Sequence, residues 1–338
     1  MLLRAIKFIA VLAVVLSICV GAGSYWVWQE MGRALTKPLD IASPQLFEIP
    51  RGTNVRQLAK TFETNGWITE PLFFEFEARR LELAQKIQAG TYEVQPGESL
   101  LELLERFASG DTVSFSLSFI EGMSLRQILL LLAEAPHIKH TLADKNEAAI
   151  TALIAPQYSS MEGWIFPSTY QYPIGSTDLE ILQRAHKKMQ DVLTRQWESK
   201  HDNLPYTSPY EALIMASIIE KETGQAAERK QIAGVFVRRL NKGMKLQTDP
   251  TVIYGMGEAF DGNIRRKDLR TDTPYNTYTR FGLPPTPIAM PGEAAIEAAL
   301  QPAEGEALYF VAKGDGWHAF SATLKEHNAA VRKYQLKK

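Results

Sequence analysis

The stretch "SPYEALIMASIIEKETG", residues 208–224, decides how the second half of the chain folds. Ser208 and Glu211 match a capping box, Pro209 suits the first helical position, and Gly224 is a suitable terminator. Between these signals the residues are apolar nearly all round the helix, which is typical of a buried helix. The sequence therefore predicts a buried central helix with well-defined ends.

Glu220 interrupts the apolar surface of this helix. At about 100° per residue it projects on the same side as Leu213 and Ala216, whereas Glu222 lies about 200° further round. The two glutamates therefore cannot form a paired-carboxylate site, and acid chemistry is predicted for Glu220 alone. Desolvation and the negative end of the helix dipole both predict a raised pKa for Glu220, as a general acid needs. The alternative is that Glu220 pairs with a buried Arg or caps a neighbouring loop.

Two later loops carry polar and aromatic side chains of the kind that line sugar-binding grooves. Taken singly, Asn, Asp and Thr belong in loops for backbone reasons, but their grouping near a buried acid predicts a site. The predicted substrate-binding residues are Gln247, Thr248, Asp249, Asn276 and Tyr278. His318, in a predicted β-hairpin, fits a structural role better than a substrate contact.

Composition excludes several classes of function. The 338 residues are 45% hydrophobic, with 37 basic against 38 acidic side chains, so no overall field favours nucleic acid as a partner. The single cysteine, Cys19, excludes an intramolecular disulfide framework, and the six His residues form no zinc-binding motif. No metal and no cofactor is expected.

The N-terminus has the features of a membrane anchor. Arg4 and Lys7 precede a charge-free run that ends in Tyr25, Trp26 and Trp28. Because about 20 apolar residues span a bilayer, we predict a cytoplasmic segment (1–7), a transmembrane helix (8–28) and a tether (29–45), with the rest of the chain outside. The alternative is a cleaved signal peptide, although a typical signal-peptide core is shorter than this run.

A strand, a Gly-containing turn and a capped helix recur four times, from Phe47, Tyr92, Ser118 and Tyr170. The predicted fold class is α+β, because strand-turn-helix units are frequent in small α+β modules. Residues 46–112 hold two of these units and resemble a LysM-like carbohydrate-binding module, with a non-binding spacer as the alternative. Residues 113–338 are predicted to form a mixed helical and β catalytic domain.

Five long motifs carry a family resemblance: "EGWIFPSTY", "ASIIEKETG", "LQTDPTVIYGMG", "YNTYTRFGLPPTPIAMPG" and "YFVAKGDGWHAF". They resemble the MltG (YceG-like) family of endolytic murein transglycosylases. The resemblance implies cleavage of the β-1,4 bond between N-acetylmuramic acid and N-acetylglucosamine within nascent peptidoglycan strands, leaving 1,6-anhydro ends. It also implies Glu220 as the catalytic residue, cell-wall synthases as partners, and an inner-membrane protein with its catalytic domain in the periplasm.

Transglycosylation explains how one acid is enough. Glu220 would protonate the departing oxygen and then accept the proton of the C6 hydroxyl as that hydroxyl closes on C1, whereas hydrolysis usually needs two carboxylates. Two alternatives stay open. One is a muramidase that hydrolyses, with Asp249 as the second carboxylate, and the other is a non-enzymatic glycan-binding scaffold built on the LysM-like module.

Overall fold

The computed structural model describes residues 2–39 and 41–336. Four residues lie outside the described ranges: Met1 of the predicted cytoplasmic segment, Asp40 of the predicted tether, and Lys337 and Lys338 of the predicted catalytic domain. The chain divides into two compact units, Met1–Phe115 and Ser116–Lys338. The predicted α+β class with an apolar N-terminal helix is confirmed.

The elements up to residue 118 are, in chain order, α1 (Leu2–Thr36), β1 (Gln45–Ile49), α2 (Val55–Thr64), α3 (Pro71–Arg80), β2 (Gly90–Val94), α4 (Leu100–Ser109) and β3 (Ser114–Ser118). Within α1, the segment Ile6–Glu30 is long and apolar enough to cross a membrane by length and composition. The helix continues to Thr36, so residues 29–36 of the predicted tether are helical. No proline occurs before Pro38, whose ring disfavours helix at the residue before it.

The first unit has its own aromatic core. Strands β1 and β2 pair antiparallel with Phe47 opposite Tyr92, and the helices cover one face of this pair. Phe62 and Phe107 are fully buried, and the Phe62 ring lies 5.4 Å from the Phe47 ring. The predicted module at 46–112 thus lies in a unit that buries a core, while its likeness to LysM stays a prediction.

The remaining elements are α5 (Leu125–Ala133), α6 (Glu147–Ile154), β4 (Thr169–Pro173), α7 (Asp178–Glu198), α8 (Pro209–Glu222), α9 (Arg229–Asn241), α10 (Asp249–Met256), α11 (Glu293–Leu300), β5 (Tyr309–Ala312), β6 (His318–Ser321) and α12 (Leu324–Tyr334). Strand β3 pairs with β4, and β5 pairs with β6. Helix α8 is packed by α7, α9, α10 and α11, and its residues from Ala212 to Ile219 are buried.

The fourfold strand-turn-helix pattern is confirmed. The four turn glycines adopt the left-handed conformation that the turn requires, with φ of 84°, 83°, 80° and 82° at Gly52, Gly97, Gly122 and Gly175. The helix after each turn begins with a capping box, at Asn54, Ser99, Ser124 and Thr177. Because β1 pairs with β2 and β3 with β4, the repeated units associate in two pairs.

Both predicted ends of α8 are close to those observed. The Ser208 hydroxyl accepts the Glu211 N–H at 3.3 Å, but the Glu211 carboxylate accepts from the N–H of Thr207 rather than from that of Ser208. The helix ends at Glu222, and Thr223 is extended. Glu222 therefore stands where the buried helix gives way to a loop.

Candidate functional site

The two glutamates at the end of α8 face different surroundings, as their offset predicts. The Glu220 side chain is 6% exposed, and its Oε2 accepts the Gly292 N–H at 2.9 Å while Oε1 lies 3.6 Å from the Arg229 guanidinium. Burial raises the pKa of Glu220, in the predicted direction. Its partners are a backbone amide and a largely buried Arg. These are the partners expected from the alternative interpretation, in which Glu220 pairs with an Arg or caps a neighbouring loop.

The polar loops do not surround Glu220. Four of the five predicted binding residues line a cavity of about 510 Å³ together with Glu222: Gln247, Thr248, Asp249 and Tyr278. The structure thus brings these four residues together at Glu222 and not at Glu220, while the catalytic role of Glu220 stays a prediction. The face opposite Glu220 is the one that meets the loops.

Glu222 titrates near neutral pH. The pKa of its carboxyl is raised to about 7, chiefly by desolvation. The Thr248 hydroxyl, which donates a hydrogen bond to Oε1, opposes this rise, and the neighbouring Asp249 adds to it. A carboxyl with this pKa is populated in both protonation states at pH 7. It can therefore donate a proton in one step of a reaction and accept one in the next.

The loop that carries Gln247 and Thr248 is held in an unusual backbone conformation. Gln247 has φ of 53°, in the left-handed region that non-glycine residues rarely adopt. Its N–H donates to the Thr277 carbonyl at 3.2 Å, and the Thr248 N–H donates to the Thr277 hydroxyl at 3.1 Å. These bonds fix Thr248 at the start of α10, where its hydroxyl reaches Glu222.

Asn276 has a different position from the other predicted binding residues. It is buried, and its amide nitrogen donates to carbonyls of the preceding loop, those of Asp268, Leu269 and Thr271. Its Oδ1 accepts the Tyr278 N–H at 2.9 Å, and the Tyr278 hydroxyl in turn donates to Asp249 at 2.5 Å. Asn276 thus organises the loop that presents Tyr278, and it does not line the cavity.

Two further residues border the cavity, Arg239 and His318. The sequence analysis did not single out Arg239, and it favoured a structural role for His318. The buried Arg239 on α9 donates to the carbonyls of Leu308 and Leu246, at 2.7 and 2.8 Å, and so joins β5 to the Gln247 loop. His318 lines the cavity, and its N–H and Nδ1 bond the two Glu228 oxygens at 2.9 and 2.8 Å. Among the described residues, no group of three or more His, Cys, Asp or Glu side chains could hold a metal ion.

The Thr248 hydroxyl provides a test of the electrostatics. Replacing Thr248 with Val removes the donor to Glu222 while conserving shape, so the pKa of Glu222 should rise above 7 by roughly one unit. Carbon-13 NMR titration of the glutamate carboxyl measures this directly. An unchanged or lowered pKa in the variant would contradict the assigned hydrogen bond.

Comparison with known proteins places the chain in a family. Residues 47–333 match the YceG-like family. An endolytic murein transglycosylase of Bacillus subtilis is 34% identical over 324 residues, covering 90% of this chain and 89% of that protein. One of Streptococcus pneumoniae is 28% identical, covering 91% of this chain and 62% of the relative. The crystal structure of a YceG-like protein from Listeria monocytogenes has a TM-score of 0.52 and 32% identity, covering 85% of this chain and 99% of that one. The chain belongs to the YceG-like family.

Proposed function

We propose that this protein is an endolytic murein transglycosylase, which cleaves the β-1,4 bond between N-acetylmuramic acid and N-acetylglucosamine within peptidoglycan strands and leaves 1,6-anhydro ends. The names of the Bacillus and Streptococcus relatives support this activity. The observation that carries it is a glutamate with a pKa of about 7 on the wall of a cavity of about 510 Å³, beside hydroxyl, amide and aromatic groups.

Glu222, rather than Glu220, is our candidate for the acid and base. Glu222 lines the cavity with Thr248, Asp249 and Tyr278, whereas the Glu220 carboxyl is occupied by Gly292 and Arg229. A general acid must come within hydrogen-bonding reach of the proton's destination, so the carboxyl that faces the cavity is favoured.

The reaction follows from one carboxyl acting twice. Glu222 in its protonated form gives its proton to the glycosidic oxygen as the C1–O bond breaks. The resulting carboxylate accepts the proton of the C6 hydroxyl as that oxygen bonds to C1, so no water is consumed and the glutamate is again protonated. The Asp249 carboxylate, on the same wall, would stabilise the positive charge that develops on the sugar ring.

Hydrolysis is the rival reaction, because Asp249 lines the same cavity and could serve as a second carboxylate. Mass spectrometry of the products from purified strands distinguishes the two, since hydrolysis adds one water, about 18 Da, at each cut and transglycosylation adds nothing. We expect products without the added mass. Hydrated ends as the main product would overturn the proposed reaction, and no cleavage at all would favour the non-enzymatic scaffold.

The pH dependence should follow the acid form of Glu222. Because the first step uses the protonated carboxyl, kcat/KM should fall as pH rises through about 7, by about tenfold for each further pH unit. Initial rates on a defined strand between pH 5 and 9 check this. A profile that stays flat to pH 9 would contradict an acid with this pKa.

We further infer how the protein is placed in the cell. The apolar helix over Ile6–Glu30 fits a single-pass anchor, and two basic residues at its N-terminal end, Arg4 and Lys7, favour a cytoplasmic N-terminus. The catalytic domain at 113–338 would then work on the periplasmic side of the inner membrane, close to cell-wall synthases, with 46–112 as a LysM-like module. Protease accessibility in spheroplasts tests the orientation, since the anchored domain should be digested from outside.

A further inference from the structure

A second cavity, of about 600 Å³, opens in the same unit as the Glu222 cavity. We infer that it binds the peptide stem that the muramic acid residue carries, an inference that rests on the proposed function. The cavity is lined by Gly122, Ser124, Arg126, Gln127, Glu147, Glu162, Lys221, Pro250, Ile253, Tyr254, Gly257, Glu258 and Ile288. None of these residues belongs to the proposed catalytic wall.

The position of this cavity fits a stem attached to a sugar at Glu222. Lys221 and Pro250 line the second cavity, and their neighbours in the chain, Glu222 and Asp249, line the first. Because consecutive Cα atoms lie about 3.8 Å apart, the two cavities adjoin across the end of α8 and the start of α10. An extended peptide spans about 3.3–3.6 Å per residue, so a stem of three residues reaches about 10 Å from the sugar.

The chemistry of the walls matches a short peptide with both signs of charge. Arg126 and Lys221 supply cations for the stem carboxylates, and Glu147 and Glu258 supply anions for an amino group. Arg126 and Glu258 now pair with each other, and both are largely exposed, so water screens the pair and a ligand can replace it at small cost. The side chains of Ile253 and Ile288 give apolar contacts of the kind an alanine methyl needs.

The floor of the cavity is fixed by a buried carboxyl. Glu162 is 3% exposed, and its two oxygens accept the Leu125 N–H at 3.0 and 3.2 Å and the Tyr254 hydroxyl at 3.1 Å. These bonds tie the start of α5 to α10, the helix that begins at the Glu222 cavity. The floor of the second cavity is therefore connected through α10 to one wall of the first.

The experiment compares two substrates on the full-length protein in detergent: strands with intact stems, and the same strands after an amidase has removed the stems. Wild type should cleave stem-bearing strands with kcat/KM about tenfold higher. Arg126→Glu reverses a charge at the cavity rim and should abolish most of this preference while leaving the rate on stem-free strands unchanged. Lys242→Glu, an exposed charge reversal that touches neither cavity, is the matched control and should keep the preference.

The outcomes separate this inference from the proposed function. Equal kcat/KM on both substrates by wild type would overturn the stem site while leaving the transglycosylase proposal intact. Loss of rate on both substrates to the same extent in Arg126→Glu would also overturn it. Absence of anhydro products from either substrate would instead overturn the proposed function. A second variant, Ile253→Trp, fills the cavity without changing its charge and should give the same loss of preference.

Discussion

Glu222→Gln should lower kcat for strand cleavage by about 1,000-fold or more, because general acid and base catalysis each contribute 10²–10⁴-fold and Gln can do neither. The amide has nearly the shape of the carboxyl, and its oxygen can still accept the Thr248 hydroxyl. Substrate binding should therefore change little, and the loss should appear in kcat rather than in KM. Single-turnover rates and KM on purified strands measure the two effects separately.

Thermal unfolding serves as the control for this variant. The pKa of Glu222 is about 7 in the folded protein against a reference value of 4.5, so the folded state binds more protons between these values. The stabilisation that protonated Glu222 contributes to the folded state is therefore fully present below pH 4.5. It is lost as pH rises through 7, which lowers the free energy of unfolding by up to about 3 kcal/mol. Glu222→Gln removes that loss and should melt no lower than wild type at pH 8. A large drop in Tm would mean that lost activity reflects unfolding.

Glu220→Ala should lower the free energy of unfolding by about 3–5 kcal/mol, because it leaves the Arg229 guanidinium without its buried partner. It also removes the acceptor of the Gly292 N–H at the start of α11. Urea unfolding followed by circular dichroism measures the loss. At a temperature where the variant is folded, anhydro products should still form, within about tenfold of the wild-type rate.

Glu220→Gln separates charge from hydrogen bonding at this position. The Gln oxygen can still accept the Gly292 N–H, so this variant should be more stable than Glu220→Ala and less stable than wild type. Wild-type stability in both variants would contradict a structural ion pair. A fully stable and inactive Glu220→Gln would return the catalytic role to Glu220.

Local signals in the sequence were sufficient to predict the repeated helices and the buried helix α8. Caps at Asn54, Ser99, Ser124 and Thr177 mark the starts of the repeated helices, and the apolar circumference of α8 predicts its burial. Such signals act within a few residues, so they can be read without the fold. The angular separation of the two glutamates is equally local and is also correct.

The side of α8 that the polar loops approach could not be predicted in this way. Periodicity marks Glu220 as anomalous because an acid on a buried face is unusual, yet buried acids pair with buried arginines more often than they catalyse. Glu222 looked ordinary as the last residue before a loop. Burial raises the pKa of Glu222, and the approach of Asp249 adds to that rise. The cavity around Glu222 is formed by segments that are distant in the sequence, so this shift depends on long-range contacts.

The most direct test of the central claim is the yield of 1,6-anhydro muropeptides from strands incubated with Glu222→Gln and Glu220→Gln in parallel, both shown to be folded at the assay temperature. Glu222→Gln should give no more anhydro ends than a control without enzyme, while Glu220→Gln should give them at a rate within about tenfold of wild type. Anhydro ends from Glu222→Gln at the wild-type rate would contradict the assignment of Glu222 as the acid and base.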